Sequence, residues 1–283
     1  LSLVIPSRTK DDPNLKRLLK SVHEQDFPKD KLEILVATKG NSEEARGHAI
    51  LEAKGDILGF LCTDNLLRDK SFLRTMTWYA AQPDVVGSYT AQYDYIPYDK
   101  PLNRYFALLG ANDPLCWFLG KADRLSYLHN GLKTEKIRIG YRMPSLGDNG
   151  FFIKRKVMLK AVFKPEDHFV IDVIKGLWNL GYKDYYRVAS QKLWHLTGDS
   201  WSTYFRNRYT YTDKLYFAQL SKRRWNMVET KWDWLLAIGF AITSLTVLPN
   251  LYLALRGWSK VKDPAWFLHP IICFLLTGVY IFL

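Results

Sequence analysis

Two carboxylates stand where an acidic side chain can do chemistry. Asp64 closes the stretch 62–64, which directly follows an apolar run, 57–61, of the kind that forms a buried strand. Asp172 lies inside the apolar run 170–174. A carboxylate in such surroundings needs either a cationic partner or a functional role, so both residues are candidates for a site. The plainer alternatives are a turn or helix N-cap for Asp64 and a capping or ion-paired carboxylate for Asp172.

The elements that must position Asp64 alternate between strand and helix signals. We predict strands at 3–5, 32–37 and 57–61, and a helix over about 43–53. An earlier helix begins with Asp12 as N-cap and Pro13 as its first residue. This order predicts a mostly parallel sheet covered on both faces, and it matches the βαβαβ beginning of a nucleotide-binding sheet. In such sheets ligands bind beyond the carboxyl ends of the strands.

Short motifs at these strand ends resemble the inverting family-two glycosyltransferases of the GT-A fold. Val4-Ile5-Pro6-Ser7-Arg8-Thr9 is similar to the family's V-I-P-T-x-N. Ala45-Arg46, Gly55-Asp56 and Phe60-Leu61-Cys62-Thr63-Asp64 are similar to its A-R-N-x-G, A-x-G-D and F-L-D-x-D elements, at matching spacing. The resemblance covers about residues 1–225. It implies an α/β GT-A nucleotide-diphospho-sugar transferase fold, a mostly parallel sheet flanked by helices.

The resemblance also implies a donor and a metal ion. A departing nucleotide diphosphate carries negative charge that a divalent cation, Mg²⁺ or Mn²⁺, and cationic side chains must hold. By position, Asp64 is the expected metal ligand, and His195 in the segment 193–200 is the expected second ligand. The residues implied on the donor side are Pro6, Ser7, Arg8, Thr38, Lys39, Arg46, Thr63, Asp64 and Arg224.

The chain departs from the family pattern at two places. Cys62 stands where the first carboxylate of the metal motif belongs, and a thiol is a poor ligand for a hard cation, so we expect reduced metal affinity. Thr38 and Lys39 follow the second strand where the family usually carries an acidic pair that reads the base. Uridine recognition is therefore not implied, and Lys39 either meets a phosphate or is solvated.

An inverting transfer requires a carboxylate that takes the proton of the acceptor hydroxyl. The family places a Glu-Asp pair near the start of the helix that here ends at about Gly181. Asp172 is the predicted base and Asp167 the alternative, because the register of the match is ambiguous. Asp148 and Asn149, between two glycines, resemble an acceptor-binding position, with a plain turn as the alternative.

Ser221-Lys222-Arg223-Arg224-Trp225 resembles the Q-x-x-R-W element of membrane-embedded transferases, with Ser221 in the glutamine position. The resemblance implies that Arg224 bridges the diphosphate and that Trp225 lines the acceptor site. An arginine and a tryptophan at a lipid boundary are an equal alternative.

The end of the sequence predicts a membrane anchor. Segments 235–255 and 265–283 contain no Asp, Glu, Lys or Arg, and their 21 and 19 residues are long enough to span a bilayer. Pro249 and Asn250 interrupt the first segment, which is therefore kinked or re-entrant. We predict a catalytic domain at 1–200, amphipathic interfacial helices at 201–231, and an anchor with two spans at 232–283.

Charge and cysteine content narrow the function classes. The net charge of +12 suits anionic lipid headgroups or a phosphate-bearing substrate, and no stacking platform or groove helix supports nucleic acid as a partner. Three widely spaced cysteines offer neither a disulfide framework nor a zinc site.

The sequence therefore predicts an inverting transferase that moves a sugar from a nucleotide-diphosphate sugar to a lipid-linked acceptor, either polyprenyl phosphate or a polyprenyl-linked saccharide of a cell-envelope polysaccharide. Its expected place is the cell membrane, multi-pass, with the catalytic domain in the cytoplasm. The alternatives are a processive polysaccharide synthase and a non-catalytic sugar-nucleotide-binding subunit.

Overall fold

The strands that the structure describes belong to one sheet. The computed structural model describes residues 1–161, 163–198, 200–210, 212–213 and 220–281. Within these residues the strands are β1 (Ser2–Pro6), β2 (Glu33–Ala37), β3 (Ile57–Phe60), β4 (Asn65–Leu66), β5 (Gly87–Tyr93), β6 (Glu135–Arg138), β7 (Phe151–Lys154) and β8 (Asp184–His195). The sheet lies in a compact unit formed by Leu1–Tyr93 and Leu132–His195, while Asp94–Gly131 and Leu196–Leu283 form a second unit.

The strand order is β2-β1-β3-β7-β5-β8-β4, with β6 paired to β8. β1 is parallel to β2 and β3, and β5 is parallel to β8. β7 is antiparallel to both β3 and β5, so β1, β2, β3, β5 and β8 all run in one direction. The predicted α/β fold with a central sheet flanked by helices is confirmed. The sheet is mixed, because β4 and β6 also pair antiparallel with β8, and these antiparallel strands were not predicted.

The helices are α1 (Pro13–His23), α2 (Ser42–Glu52), α3 (Phe72–Ala81), α4 (Pro101–Leu109), α5 (Pro114–Phe118), α6 (Arg155–Met158), α7 (Val170–Asn179), α8 (Trp201–Thr210), α9 (Lys231–Thr246), α10 (Leu248–Lys260) and α11 (Leu268–Ile281). Asp12 caps α1, as predicted, by accepting a hydrogen bond from the Asn14 amide at 2.8 Å. Asn41 caps α2 through the amides of Glu43 and Glu44.

The core of the first unit forms where α1 and α3 bury their apolar sides on the sheet. Leu15, Leu18 and Val22 of α1 belong to the same buried cluster as Leu3 and Phe72. Each fully buried side chain of this size stabilises the fold by about 1.5–3 kcal/mol, relative to leaving it exposed. This packing fixes the first three strands, whose carboxyl ends carry the predicted donor residues.

Those strand ends lie side by side. Pro6 at the end of β1 is in register with Ala37 at the end of β2, and Val4 with Phe60 of β3. The Ser7 amide continues the ladder by donating to the Ala37 carbonyl at 2.9 Å. The polar stretches after β1, β2 and β3 therefore leave the sheet at one edge, where parallel sheets bind ligands.

The second unit is helical in its described residues. Tyr105 and Phe106 of α4 share a buried cluster with Tyr204 of α8 and with Trp266 and Ile272. Residues 211 and 214–219 lie outside the described residues, so the segment 201–231 is described only in part, with α8 and the short 3-10 helix Leu220–Lys222. Its interfacial character remains a prediction. The predicted domain limits at 200 and 231 remain predictions.

The apolar tail corrects the prediction of two spans. α9 and α10 meet at a bend of 85° at Val247, which confirms the predicted break in the segment 235–255. Val247 has φ 62°, and Pro249 in the first turn of α10 cannot donate a backbone hydrogen bond. Among the described residues, Pro264–Ile281 is long and apolar enough to cross a membrane, and the bent pair qualifies only when both helices count as one span. A multi-pass anchor is therefore not supported.

Candidate active site at the carboxyl end of the sheet

Asp64 and His195 meet at the edge of the sheet. Asp64 follows β3 in the chain, and the next two residues form β4. β4 pairs antiparallel with the end of β8, so that Asn65 lies opposite His195. This pairing brings the Asp64 carboxylate oxygen Oδ2 to 3.5 Å from Nε2 of His195. The Asp64 side chain is 37% exposed, whereas that of His195 is 7% exposed and its ring lies 5.3 Å from the Tyr93 ring. The structure thus brings the two predicted metal ligands together, with the carboxylate facing solvent.

The pair offers two ligands of kinds that bind divalent ions, so a complete metal site would need further oxygen atoms from substrate or water. In the described part of the chain, no group of three or more His, Cys, Asp or Glu side chains could hold a metal ion. Mg²⁺ is usually held by one or two carboxylates together with substrate phosphates and water, and a neutral imidazole also serves as a ligand. A site of this kind would be completed by the diphosphate of a bound nucleotide.

Arg46 is buried behind this edge among acidic groups. Its side chain is 2% exposed and forms ion pairs with Glu43, one turn earlier on α2, and with Asp148 Oδ1 at 2.6 Å. The Cys62 sulfur lies 3.8 Å from Arg46 Nη2 and 3.6 Å from the same Asp148 oxygen. The guanidinium, which was predicted to bind the donor, is engaged by two carboxylates in this structure.

The pKa values in the cluster follow from burial and these ion pairs. Burial alone would raise the pKa of Glu43, but the Arg46 charge, His168 and the Val170 amide outweigh it and lower that pKa to about 2. Burial would lower the pKa of Arg46, but Asp148 and Glu43 raise it. Burial raises the pKa of the Cys62 thiol, and the Asp148 carboxylate raises it further. Burial also raises the pKa of Asp148, with Arg46 acting in the opposite direction.

The turn that carries Asp148 and Asn149 is fastened to the exit of β3. The Gly150 amide donates to the Phe60 carbonyl at 2.8 Å, and Asn65 Nδ2 donates to Asn149 Oδ1 at 3.1 Å. Asn65 Nδ2 also lies 3.2 Å from Asp64 Oδ1. The predicted acceptor residues are therefore held next to the predicted metal ligand. Glu43 and Asn65, which organise this edge, were missed from the sequence, although the three-residue spacing of Glu43 and Arg46 on a helix is a recognisable ion-pair signal.

The two candidate bases differ in exposure. Asp172 is buried in the first turn of α7, whereas Asp167 is exposed in the short 3-10 helix Pro165–Asp167. The start of α7 is fastened to α2, because the Val170 amide donates to Glu43 Oε2 at 2.8 Å. The choice between Asp172 and Asp167 remains a prediction.

The remaining donor and acceptor residues also remain predictions. In the first unit, Pro6 is buried, Ser7 and Thr63 are half-buried, and Arg8, Thr38 and Lys39 are exposed along the edge. In the second unit, Arg224 is exposed, while Trp225 is 1% exposed and lies 5.9 Å from Lys121 Nζ.

The mixed sheet flanked by helices is an α/β fold that a solved structure shares. The mannosyltransferase PcManGT from Pyrobaculum calidifontis, in complex with GDP-Man and Mn²⁺, is similar over 99% of this chain and 85% of its own, with TM-score 0.51 and 14% sequence identity. S. aureus TarS 1–349 in complex with UDP matches over 99% of this chain and 90% of its own, with TM-score 0.47 and 11% identity. No family model and no curated protein matches the sequence.

Proposed function

We propose that the chain is a glycosyltransferase with a nucleotide-diphosphate sugar as its donor. The observation that carries the proposal is the Asp64–His195 pair, 3.5 Å apart, at the carboxyl edge of a sheet whose fold is that of a mannosyltransferase solved with GDP-Man and Mn²⁺. Ligands of such sheets bind at this edge.

Asp64 and His195 would hold a divalent cation, Mg²⁺ or Mn²⁺, which would offset the negative charge of the departing diphosphate. The Asp64 carboxylate provides the hard oxygen ligand, and its exposure leaves room for phosphate oxygens. Cys62 does not suit such an ion, and its sulfur is turned to Arg46 and Asp148. Arg8 and Lys39, exposed at the neighbouring strand ends, supply positive charge to the phosphates.

The transfer is proposed to invert the anomeric centre, with Asp172 as the base that accepts the proton of the acceptor and Asp167 as its alternative. A buried carboxylate at the start of a helix that is fastened to α2 has a fixed position, as a base requires. With a saccharide hydroxyl as the acceptor, Asp172→Asn is expected to abolish transfer and Asp167→Asn to leave it measurable. The reverse result would exchange the two assignments. A polyprenyl phosphate is already ionised and needs no base, so transfer to it should survive both substitutions.

The acceptor is proposed to be lipid-linked, a polyprenyl phosphate or a polyprenyl-linked saccharide, reached at the cytoplasmic face where nucleotide sugars are supplied. The support is an exposed apolar surface on the second unit, on α9, α10 and α11, that includes Leu235, Ile238, Ile242, Leu248, Tyr252 and Phe274. Exposed Trp232, Trp234 and Trp258 stand at the ends of α9 and α10, near Lys231 and Lys260. Tryptophan and basic residues flanking an apolar surface are typical of a lipid–water boundary.

Transfer assays on the full chain in membranes test the proposal. Radiolabelled GDP-Man, UDP-GlcNAc and UDP-glucose are supplied with Mn²⁺ or Mg²⁺, and label is counted in the organic phase. Asp64→Asn and His195→Ala are expected to lower transfer by roughly 100-fold or more, because the charge on the leaving group is no longer balanced. Asp11→Asn is the matched control, since that side chain is 93% exposed in the same unit.

The Cys62 departure favours a second candidate, a non-catalytic sugar-nucleotide-binding subunit. In that case no donor yields labelled lipid, but equilibrium dialysis detects binding of a nucleotide sugar that Asp64→Asn weakens. Full transfer by Asp64→Asn would instead show that the metal-ligand assignment is wrong.

A further inference from the structure

Two distant positions of the chain face one buried guanidinium. Cys62 follows β3 and Asp148 precedes β7, and they are 86 residues apart in sequence. The Cys62 sulfur and Asp148 Oδ1 both lie against Arg46 Nη2, at 3.8 and 2.6 Å. β3 and β7 pair antiparallel, with Phe60 opposite Phe151. This pairing places the residues after β3 next to those before β7, and so brings Cys62 close to Asp148.

The N–H donors of Arg46 serve two carboxylates in this cluster. The planar guanidinium presents its N–H donors as a fork, which can serve one carboxylate on each side. Glu43 occupies one side and Asp148 the other. A carboxylate at position 62 would lie within about 4 Å of Asp148, since the sulfur is already 3.6 Å away, and the two anions would repel each other and compete for Arg46 Nη2. One acidic residue, at position 62 or at position 148, is therefore expected to be more stable here than two.

The ion pair is one of three contacts that locate the turn before β7. Gly147 and Gly150 have φ values of 137° and 79°, which glycine adopts without strain, and Asn149 has φ 54°, which asparagine tolerates. The sequence therefore permits the turn, and contacts with neighbouring residues determine where it lies. Here the Asp148–Arg46 pair, the Asn149–Asn65 hydrogen bond and the Gly150–Phe60 hydrogen bond fix it to the exit of β3.

We infer that Asp148 supplies to Arg46 the carboxylate that position 62 lacks, and that this ion pair holds the Gly147–Gly150 turn against the exit of β3, beside Asp64. Asp148 is then a positioning residue that acts through Arg46, rather than a direct contact of the acceptor. The ion-pair part stands on the structure alone, whereas the positioning part rests on the proposed transferase function.

An exchange of charge between the two positions tests the inference. Melting temperatures of the full chain in detergent are compared for Asp148→Asn, Cys62→Asp and the double variant, with Cys62→Ser as control. Asp148→Asn is expected to lower the Tm by roughly 5–15 °C, because Arg46 loses one of its anions, and Cys62→Asp to lower it by crowding two anions. The double variant restores one carboxylate on that side of Arg46 and is expected to melt above either single variant. Cys62→Ser is expected to melt within a few degrees of the wild type.

A double variant whose Tm loss equals or exceeds the sum of the single losses would overturn the inference, as would a Cys62→Asp variant as stable as the wild type. If Asp148→Asn cannot be obtained folded, recovery of the folded double variant supports the inference, and failure of both overturns it. These measurements need no substrate, so their outcome is independent of whether transfer is ever observed.

Kinetics separate positioning from direct contact once a donor has been found. In the double variant position 148 is an amide, whereas the turn is again held through position 62. The acceptor KM and kcat are then expected to return to within about threefold of the wild-type values. A double variant with restored Tm but an acceptor KM still raised as in Asp148→Asn would show that Asp148 contacts the acceptor itself.

Discussion

Each compact unit buries an ion pair, and the two pairs have different partners. In the second unit, Lys121 and Asp233 are both 2% exposed at the side chain and meet at 3.0 Å. Lys121 also donates to the carbonyls of Asn226 and Met227, and Asp233 accepts from the amides of Glu229 and Thr230. The other hydrogen-bond partners named for this pair are therefore backbone groups. They lie near the start of α9, where Thr230 and Asp233 form a capping box.

In the first unit, the buried arginine has side chains for partners. Arg46 is held by Glu43 and Asp148, with Cys62 close by, and Glu43 in turn accepts the Val170 amide at the start of α7. A pair satisfied by backbone fixes one helix end and stabilises the fold. A pair satisfied by side chains from separate segments couples those segments. A substitution of Arg46 is therefore expected to shift both the turn that carries Asp148 and the start of α7. Both pairs should matter for stability, but only the Arg46 cluster should alter the chemistry at the strand ends.

Breaking the Lys121 pair is expected to cost the most stability. Lys121→Met leaves Asp233 charged and buried without its cation, which typically destabilises by about 3–5 kcal/mol. Urea unfolding of the detergent-solubilised chain measures the loss. The double variant Lys121→Met/Asp233→Asn removes the uncompensated charge and should recover part of it. A loss below about 1 kcal/mol in the single variant would mean that the pair is hydrated.

The pH dependence of stability should reveal the lowered pKa of Glu43. Its pKa is lowered to about 2 in the folded chain from an ordinary value of 4.5. A lowered pKa adds stability that is fully present above the unfolded-state value and is lost as the pH falls towards the folded-state value. The contribution is at most about 3 kcal/mol, since each unit of difference corresponds to about 1.4 kcal/mol.

Unfolding of Glu43→Gln and of the wild type is therefore compared at pH 7, 5 and 3. The stability gap between them is expected to be constant from pH 7 to 5 and to shrink below pH 4.5. A gap for Glu43→Gln that stays constant down to pH 3 would contradict the low folded-state pKa.

Arg46→Lys should show that the cluster depends on shape as well as charge. An ammonium is a point charge that cannot present a planar fork to two carboxylates, so we expect a loss of roughly 2 kcal/mol in stability together with reduced transfer. Arg74→Lys is the matched control, because Arg74 pairs with Asp26 on the surface with 56% of its side chain exposed. Exposed pairs typically contribute less than about 1 kcal/mol. Equal losses in the two variants would remove the distinction between the buried cluster and a surface pair.

Local sequence patterns predict part of the fold and the place of Asp64 after β3. Apolar runs, the Asp12 cap and the strand ends predict the sheet and the position of Asp64, and the resemblance adds His195. The meeting of Cys62 with Asp148 depends on the antiparallel insertion of β7 between β3 and β5, a pairing between distant segments that no local pattern encodes. The break in the apolar segment was predicted from Pro249 and Asn250, and the structure shows it as a bend of 85°. Its place at Val247 was not predicted, because sequence composition does not report a positive φ.

The exposed apolar surface of α9 should affect membrane binding with the smallest effect on stability. Ile238 and Ile242 are 54% and 57% exposed, so Ile238→Asp/Ile242→Asp removes little packing, and each substitution is expected to change stability by no more than about 0.5 kcal/mol. Placing carboxylates where lipid tails would lie is costly, and we expect the variant to lose most of its cosedimentation with vesicles of phosphatidylcholine and phosphatidylglycerol. Leu51→Asp, 50% exposed in the first unit, is the control and should still bind. Unchanged binding of the double variant would mean that this surface does not contact lipid, and the lipid-linked acceptor would lose its main structural support.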